Sequence, residues 1–351
     1  MDFTFSEDQL LFQESVRDFL VNEVTPESIR AAWQTESGRS DALWQQFVEM
    51  GLTGITVPEA HGGLGMNELD FVLLAQEAGY VALSEPLVHS ALVAVPTIVQ
   101  FGDSAFAEQW LPKIASGEAK AVVGLGINNL VEDAHIADVL ILEKAGAVYA
   151  VEAGAFELRY NESIDLGRKL FAVEFDVNAA LNLADGDKAK QLVKFALDRG
   201  ALAAAAQALG VAQRMIDISV QYTTDRKQFG VAIGSFQAVK HHMANIAYKL
   251  EYAKTPVYRA AYALANGLSS ASQNVSHAKV VACEVADLAA KNSIQVHGAM
   301  GYTWEVDLHI FMKRAWALNS SYGTAGFHKQ RLAEFVFSDE AKLGAGNTFA
   351  A

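Results

Sequence analysis

The hydrophobic pattern of this chain changes its period twice. Apolar residues first recur at helical spacing, as at Phe12, Val16, Phe19 and Leu20. Between about Ala119 and Asp176 they come in short runs separated by turn residues, and from about Lys188 helical spacing returns. Helical spacing buries one face of a helix, whereas short apolar runs bounded by turns are typical of strands. The chain is therefore expected to be mainly α with a small β region.

We predict three domains from these changes: an α-helical domain at 1–118, a reduced β domain at 119–185, and a C-terminal four-helix bundle at 186–351. Four strands are expected in the middle domain, and their alternation with tight turns favours an antiparallel arrangement. The expected strands are Val139–Leu142, Val148–Val151, Glu157–Tyr160 and Leu170–Phe175.

Composition narrows the possible partners and the compartment. The chain has 351 residues, of which 51% are hydrophobic and 19% charged, as in a well-buried globular protein. A formal net charge of −14 argues against nucleic acids and anionic membranes as partners. The single cysteine, Cys283, excludes an intramolecular disulfide, and no signal peptide or long apolar run is evident, so a cytoplasmic location is expected. Because the mean hydropathy is nevertheless positive, we expect an oligomer.

Three short segments in the last third of the chain carry the functional signal. They are Arg226–Gly230, Phe236–His241 and Gln295–Tyr302. Taken singly, Arg226 would be interpreted as a surface ion pair and Gln295 as a hydrogen bond at a helix end. Their order and spacing within one helical region are harder to obtain by chance.

Together the three segments resemble the flavin-binding signature of the acyl-CoA dehydrogenase family. The resemblance implies α,β-dehydrogenation of an acyl-CoA thioester, in which a carboxylate removes the α proton and FAD accepts a hydride from the β carbon. The motif Gly301–His309 is similar to that of the short subunits of heterotetrameric acyl-CoA dehydrogenases of bacterial steroid catabolism. Steroid-derived CoA thioesters are thus one expected substrate class.

The resemblance also implies which residues contact FAD. In the family's dimers the matching segments reach the adenosine diphosphate part of the FAD of the neighbouring subunit. Arg226 would contact the pyrophosphate, Gln228 and Gln237 would hydrogen-bond it, and Gly298 would allow close approach of the backbone. Ala299 replaces a second glycine of the family motif. The full implied set is Arg226, Gln228, Phe229, Phe236, Gln237, Gln295, Val296, His297, Gly298 and Thr324.

The contacts that hold the flavin ring of the same subunit are missing. The family carries a Thr-Glu-Pro-x-x-Gly-Ser-Asp segment and a tryptophan-containing strand in the middle domain, whereas this chain has Val122–Leu130 where the first should stand. Retained contacts to a neighbouring FAD beside missing contacts to its own suggest one partner of a heteromeric enzyme.

The catalytic base has two places in the family. At the first, a Glu-Gly-Thr motif, this chain has Tyr322-Gly323-Thr324, and a phenol with an ordinary pKa near 10 is a poor base at neutral pH. At the second, Asp198-Arg199 stands close to the expected acidic residue, but only with a shift of two positions. Asp198 is the candidate base, and its alternative role is to favour the positive end of a helix that starts there.

Three functions follow from these observations. The first is an FAD-completing subunit of a heteromeric α2β2 acyl-CoA dehydrogenase, in which the partner subunit supplies the base. An electron-transferring flavoprotein would accept the electrons from the FAD of this enzyme. The second is a self-sufficient homo-oligomeric dehydrogenase that uses Asp198, and the third is a non-catalytic binding or scaffold protein of the same fold. No metal site is expected, because His241 and His242 point to different helix faces and no third ligand is spaced for zinc.

Overall fold

The computed structural model describes residues 4–339, 341 and 344–347, and these fall into two compact units. The terminal unit takes the described residues within Met1–Asn22, Val72–Leu83 and Ala204–Ala351. The middle unit contains Glu23–Phe71 and Ser84–Ala203. Because both units are assembled from separate segments, the domain limits at 118 and 185 stay a prediction.

The N-terminal third is helical, as predicted. A reciprocal capping box begins the first helix: the Gln9 amide donates to Ser6 Oγ at 3.2 Å, and the Ser6 amide donates to Gln9 Oε1 at 2.8 Å. The helices are α1 Glu7–Glu23, α2 Pro26–Trp33, α3 Asp41–Glu49, α4 Glu68–Tyr80, α5 Leu87–His89, continued through a π-turn at Ser90–Ala94 into α6 Val95–Phe101, and α7 Ser104–Ala115.

Two small sheets follow in the middle unit. One has the strand order β1-β3-β4-β7 and the other β2-β6-β5. The four predicted strands are confirmed, and the sheets share a core that includes Val122, Leu140, Val151 and Phe171. The strands are β1 Ala121–Gly124, β2 Val131–Glu132, β3 Val139–Lys144, β4 Ala147–Glu152, β5 Phe156–Asn161, β6 Leu170–Phe175 and β7 Leu181–Ala184.

The turn between β3 and β4 explains why this hairpin was predictable. Ala145 and Gly146 have φ values of 52° and 80°, the left-handed pair that a two-residue hairpin with native twist requires. The expectation of a purely antiparallel domain was wrong, because β1 pairs with β3 in parallel, Ala121 opposite Val139. Both strands are buried along their shared length, so no alternation was present to indicate their direction.

The remainder of the chain is again helical, which confirms the mainly α architecture. A short hairpin interrupts the helices after Asp225. The elements are α8 Gly186–Asp225, β8 Lys227–Gln228, β9 Val231–Ala232, α9 Gln237–Ala265, α10 Ala271–His297, a 3₁₀ segment Gly298–Tyr302, α11 Leu308–Ser320 and α12 Ala325–Val336.

Small residues let α8 pack closely on α4 within the terminal unit. A Cβ at Gly210 would overlap the carbonyl oxygen of Gln76, and one at Gly79 would overlap that of Gln207. The alanine-rich run of α8 has too little side-chain volume to fill a wide groove, so the two backbones approach each other instead.

Within the described ranges, no helix combines the length and the apolar character that crossing a membrane requires.

Candidate functional site

Helices α8 and α10 of the terminal unit border a cleft of about 700 Å³, here called the α8–α10 cleft. Two predicted FAD contacts, Arg226 and His297, line it, although they belong to separate motifs. The structure thus brings two of the three segments to one place. The lining residues are Arg214, Asp217, Ile218, Gln221, Tyr222, Asp225, Arg226, His297 and Val306.

His297 is held in one protonation state. It is 3% exposed, and its Nδ1 lies 2.7 Å from the carbonyl oxygen of Ser293, which can only accept, so Nδ1 carries the proton. Burial lowers the pKa of His297, while the hydrogen bond to Ser293 acts in the opposite direction. Its Nε2 is consequently an unprotonated acceptor, and it has no hydrogen-bond partner among the described residues. An unsatisfied buried acceptor costs about 1–3 kcal/mol.

Tyr222 fixes the His297 ring. The two rings stack with centroids 4.2 Å apart and planes 21° apart, and the Tyr222 hydroxyl donates to the His297 carbonyl oxygen at 3.3 Å. Sequence reasoning missed Tyr222. Its position one helical turn before Arg226 was the available signal, because residues four apart share a helix face.

The two arginines of the cleft have no carboxylate partner. Arg226 is exposed just after α8 ends, and Arg214 lies against aromatic rings, its guanidinium carbon 5.2 Å from the centroid of Tyr80 and 5.6 Å from that of Phe311. Neither guanidinium forms an ion pair with any residue in the part of the chain that the structure describes. Arg214 was not predicted, since nothing in its local sequence separates it from a surface arginine.

The carboxylates of the same cleft accept hydrogen bonds from neutral donors. Asp217 accepts from the Tyr80 hydroxyl at 2.9 Å and from the Gln213 amide at 2.8 Å, and Asp225 accepts from the Gln221 amide at 2.7 Å. The carboxylates of the cleft therefore form no ion pair with its two arginines, and Arg214 donates to the Tyr80 hydroxyl at 3.3 Å.

The hairpin after α8 presents most of its side chains to solvent. Phe229 is 92% exposed and has a φ of 54°, and its ring meets that of Phe236 edge to face at 6.2 Å. Gln228 and Gln237 are exposed as well, and the Gln228 amide donates to the Lys227 carbonyl oxygen at 2.7 Å. The predicted contacts of this segment thus form an open surface.

The end of α10 shows which groups of the third motif can reach a ligand. Gly298 has φ 59° and ψ −138°, a conformation that suits glycine, and a Cβ there would meet nothing within 4 Å. Gln295 and Ala299 are exposed. Val296 is 7% exposed, so its side chain belongs to the core and only its backbone is available to a ligand.

Thr324 lies outside the α8–α10 cleft, in a turn that accepts hydrogen bonds from a buried lysine. It caps α12, accepting from the Phe327 amide at 3.3 Å, and does not line the α8–α10 cleft. The preceding Tyr322 has a φ of 52°. Lys279, 1% exposed, donates to the carbonyl oxygens of Leu318 at 2.7 Å and Gly323 at 3.3 Å. This buried lysine, absent from the sequence prediction, stabilises the carbonyl end of α11 and the turn after it.

Asp198 occupies the interior of a helix in the middle unit. Its alternative role at a helix start was wrong, since the 40-residue α8 begins at Gly186. The side chain is 4% exposed and pairs with Lys194 at 3.3 Å, while Arg199 pairs with Glu68 at 2.5 Å. Asp198 as a base stays a prediction.

The middle unit contains one buried and one partly buried ion pair that sequence reasoning missed. Arg39 and Asp133, with side chains 5% and 6% exposed, form a direct pair, and Arg168 pairs with Glu132 at 2.9 Å. Arg39 also donates to the Gly167 carbonyl oxygen at 3.0 Å. The two residues of each ion pair lie far apart in the sequence, so no local sequence pattern predicts the pair.

His89 is a partly buried histidine of the middle unit, and its Nε2 has a hydrogen-bond donor. Its Nε2 accepts from the Val123 amide at 2.9 Å, and burial lowers the pKa of the ring to about 4.

Among the described residues, no group of three or more His, Cys, Asp or Glu side chains is arranged to hold a metal ion.

Two family models match the chain: the N-terminal domain of acyl-CoA dehydrogenase at residues 6–118 and the C-terminal domain at 190–337. Among curated relatives, acyl-CoA dehydrogenase IpdE2 of Mycolicibacterium smegmatis is 28% identical over 95% of this chain and 100% of its own length.

Solved structures show the same fold. The ChsE4-ChsE5 complex of Mycobacterium tuberculosis matches with a TM-score of 0.85 at 23% identity, over 98% of this chain and 100% of the other. The Tcur3481-Tcur3483 steroid ACAD G363A variant matches with a TM-score of 0.82 at 22% identity, over 93% and 97%.

Proposed function

This chain belongs to the acyl-CoA dehydrogenase family of FAD-dependent enzymes, and we propose that it completes the FAD site of a second, related subunit in a heteromeric dehydrogenase. The observation that carries the proposal is the open surface at Arg226–Phe229. Side chains that the family uses on FAD are exposed there, and Arg226 has no ion-pair partner among the described residues.

The α8–α10 cleft fits the adenosine diphosphate part of FAD. Arg214 and Arg226 form no ion pair with any described residue, and their guanidinium groups suit a pyrophosphate. Gly298 leaves open space where a backbone amide can approach phosphate. FAD supplies the hydride acceptor when bound; this chain supplies binding groups for the half of FAD that takes no part in hydride transfer.

The base is expected on the partner. Tyr322 stands where the family motif has glutamate, and Asp198 is buried beside Lys194. A base must be free to take the α proton of the substrate, whereas a phenol is a poor base at neutral pH and Asp198 is already paired with Lys194.

The substrate proposed for the complex is a CoA thioester, with steroid-derived acyl groups as the class. Support comes from the motif Gly301–His309 and from the likeness to a structure described as a steroid ACAD. An α2β2 assembly and electron transfer to an electron-transferring flavoprotein are part of the same proposal.

The test is the visible absorption spectrum of the chain purified alone and after co-expression with a related dehydrogenase subunit. Flavin colour is expected only in the complex, at about one FAD per pair of unlike subunits, because half of the contacts lie on each chain. A stoichiometric FAD in the chain alone would instead favour the self-sufficient enzyme. Absence of flavin with every related subunit would favour a scaffold.

A further inference from the structure

We propose that the groove between helices α9 and α10 joins two copies of this chain, and that this contact completes the α2β2 assembly. The inference rests on the proposed function, in which the surface at Arg226–Phe229 forms the contact between unlike subunits. A closed α2β2 assembly needs a further contact that relates two αβ pairs by a two-fold axis.

The groove, here called the α9–α10 groove, lies within the terminal unit and has a volume of about 320 Å³. Its apolar lining comes from both helices: Ala253 and Pro256 from α9, and Val281 and Val285 from α10. A concave apolar surface that is open to solvent is typical of an interaction site.

Two tyrosines beside the groove are exposed. Tyr252 lines the groove and is 77% exposed, and Tyr248, one turn earlier on α9, is 50% exposed. Their rings meet edge to face with centroids 6.4 Å apart. Tyrosine is enriched among the residues that contribute most to binding at protein interfaces. A protruding aromatic pair next to an apolar groove makes this face self-complementary, because the rings of each copy can enter the groove of the other.

The charged residues of the groove favour a second copy of this chain as the occupant. Lys249 lines the groove from α9 and Glu284 from α10. Lys249 forms no ion pair with any side chain that the structure describes, and Glu284 pairs with Lys329 at 2.6 Å while more than half of its side chain stays exposed. A two-fold axis along the groove brings α9 of one copy onto α10 of the other. Each lysine then faces the glutamate of the other copy, and the ion pair forms twice.

The α9–α10 groove is separate from the surface proposed to bind FAD. Helix α9 begins at Gln237, and at a rise of about 1.5 Å per residue Lys249 lies about 18 Å further along it. One chain can therefore make both contacts at the same time.

Light scattering of the full chain purified alone tests the inference. The wild type should be a dimer. Lys249→Glu and Glu284→Lys each place like charges against each other twice, so each should weaken the dimer roughly tenfold or more. The control Lys188→Glu makes the same change of charge at an exposed lysine of α8 and should leave the dimer intact.

The double variant Lys249→Glu with Glu284→Lys exchanges the two charges. The ion pairs can then form again across the two-fold axis, so the dimer should return. Tyr252→Ala removes an exposed aromatic ring and should also weaken the dimer. Because Lys249, Tyr252 and Glu284 are all exposed, the variants should fold, and circular dichroism checks this.

A monomeric wild type, a dimer that neither charge reversal weakens, or a double variant that stays monomeric would each overturn the proposal. So would a Lys249→Glu chain that keeps its dimer but no longer binds the unlike subunit, because the unlike subunit would then occupy the groove. The charge-reversal variants should still form αβ pairs that contain FAD. A wild-type complex without flavin would therefore contradict the proposed function and leave the result on the dimer standing.

Discussion

The two units of this protein differ in whether their arginines form ion pairs. In the middle unit Arg39 is buried against Asp133, and Arg168 forms a partly buried ion pair with Glu132. In the α8–α10 cleft Arg214 and Arg226 have no ion pair with any described residue. A buried ion pair indicates a structural role, whereas arginines that line a cleft without an ion-pair partner among the described residues are available to an anionic ligand.

The largest effect should come from breaking the buried pair. Arg39→Ala leaves Asp133 buried without its cation and should lower the free energy of unfolding by about 3–5 kcal/mol. Urea unfolding followed by circular dichroism measures this. The control Arg159→Ala removes an exposed arginine on β5 and should change stability by less than about 0.5 kcal/mol. A similar small loss for Arg39→Ala would mean that the pair is not the structural element proposed here.

The protonation of His89 should make the stability of the protein depend on pH. Its folded pKa is about 4, below the ordinary value of 6.5, so the unfolded chain binds more protons between these values. The contribution of neutral His89 to the free energy of unfolding is fully present above pH 6.5. It is lost as the pH falls toward 4, and the loss amounts to at most about 3 kcal/mol.

The same pH series on a His89→Gln variant isolates this histidine. Glutamine can still accept from the Val123 amide but does not titrate, so the fall in stability between pH 6.5 and 4 should be shallower. An unchanged slope would place the acid sensitivity on other groups.

At the cleft, Gly298→Ala should cost about 1–3 kcal/mol, because an L residue at φ 59° and ψ −138° is strained even in open space. Gly326→Ala, at the first turn of α12 and without a positive φ, is the matched control and should not destabilise the protein. Equal stabilities of the two variants, compared by thermal unfolding, would show that the glycine conformation is not required.

The smallest effect is expected at Asp198. Asp198→Asn keeps the shape of the side chain and loses an ion pair to a lysine that is 63% exposed, so stability should fall by no more than about 1 kcal/mol. Activity of the heteromeric complex should stay within about twofold, since the base lies on the partner. A loss of several orders of magnitude in kcat, with folding intact, would return the base to this chain.

Whether an interaction could be predicted from the sequence depends on how far apart its residues lie in the chain. The capping box at Ser6 and the turn at Ala145-Gly146 are formed by residues close together in the sequence, and the helical segment and the pair of strands that contain them were predicted. The parallel pairing of β1 with β3 depends on residues distant in the chain, and so do the pairs made by Arg39 and the buried Lys279. Arg226 and His297 were predicted from motifs, but Tyr222 and Arg214 became visible only when α8 and α10 bordered one cleft.

The central claim is that Arg226, at the end of α8, binds a neighbouring subunit's FAD. The most direct test is the FAD-to-protein ratio of the co-purified heteromeric complex carrying Arg226→Ala, with Lys227→Ala, the adjacent exposed cation, as control. A charge-assisted contact to pyrophosphate predicts that Arg226→Ala weakens FAD binding roughly 10- to 100-fold and leaves the complex depleted of flavin, while Lys227→Ala retains it. Full flavin content in both variants would contradict the account.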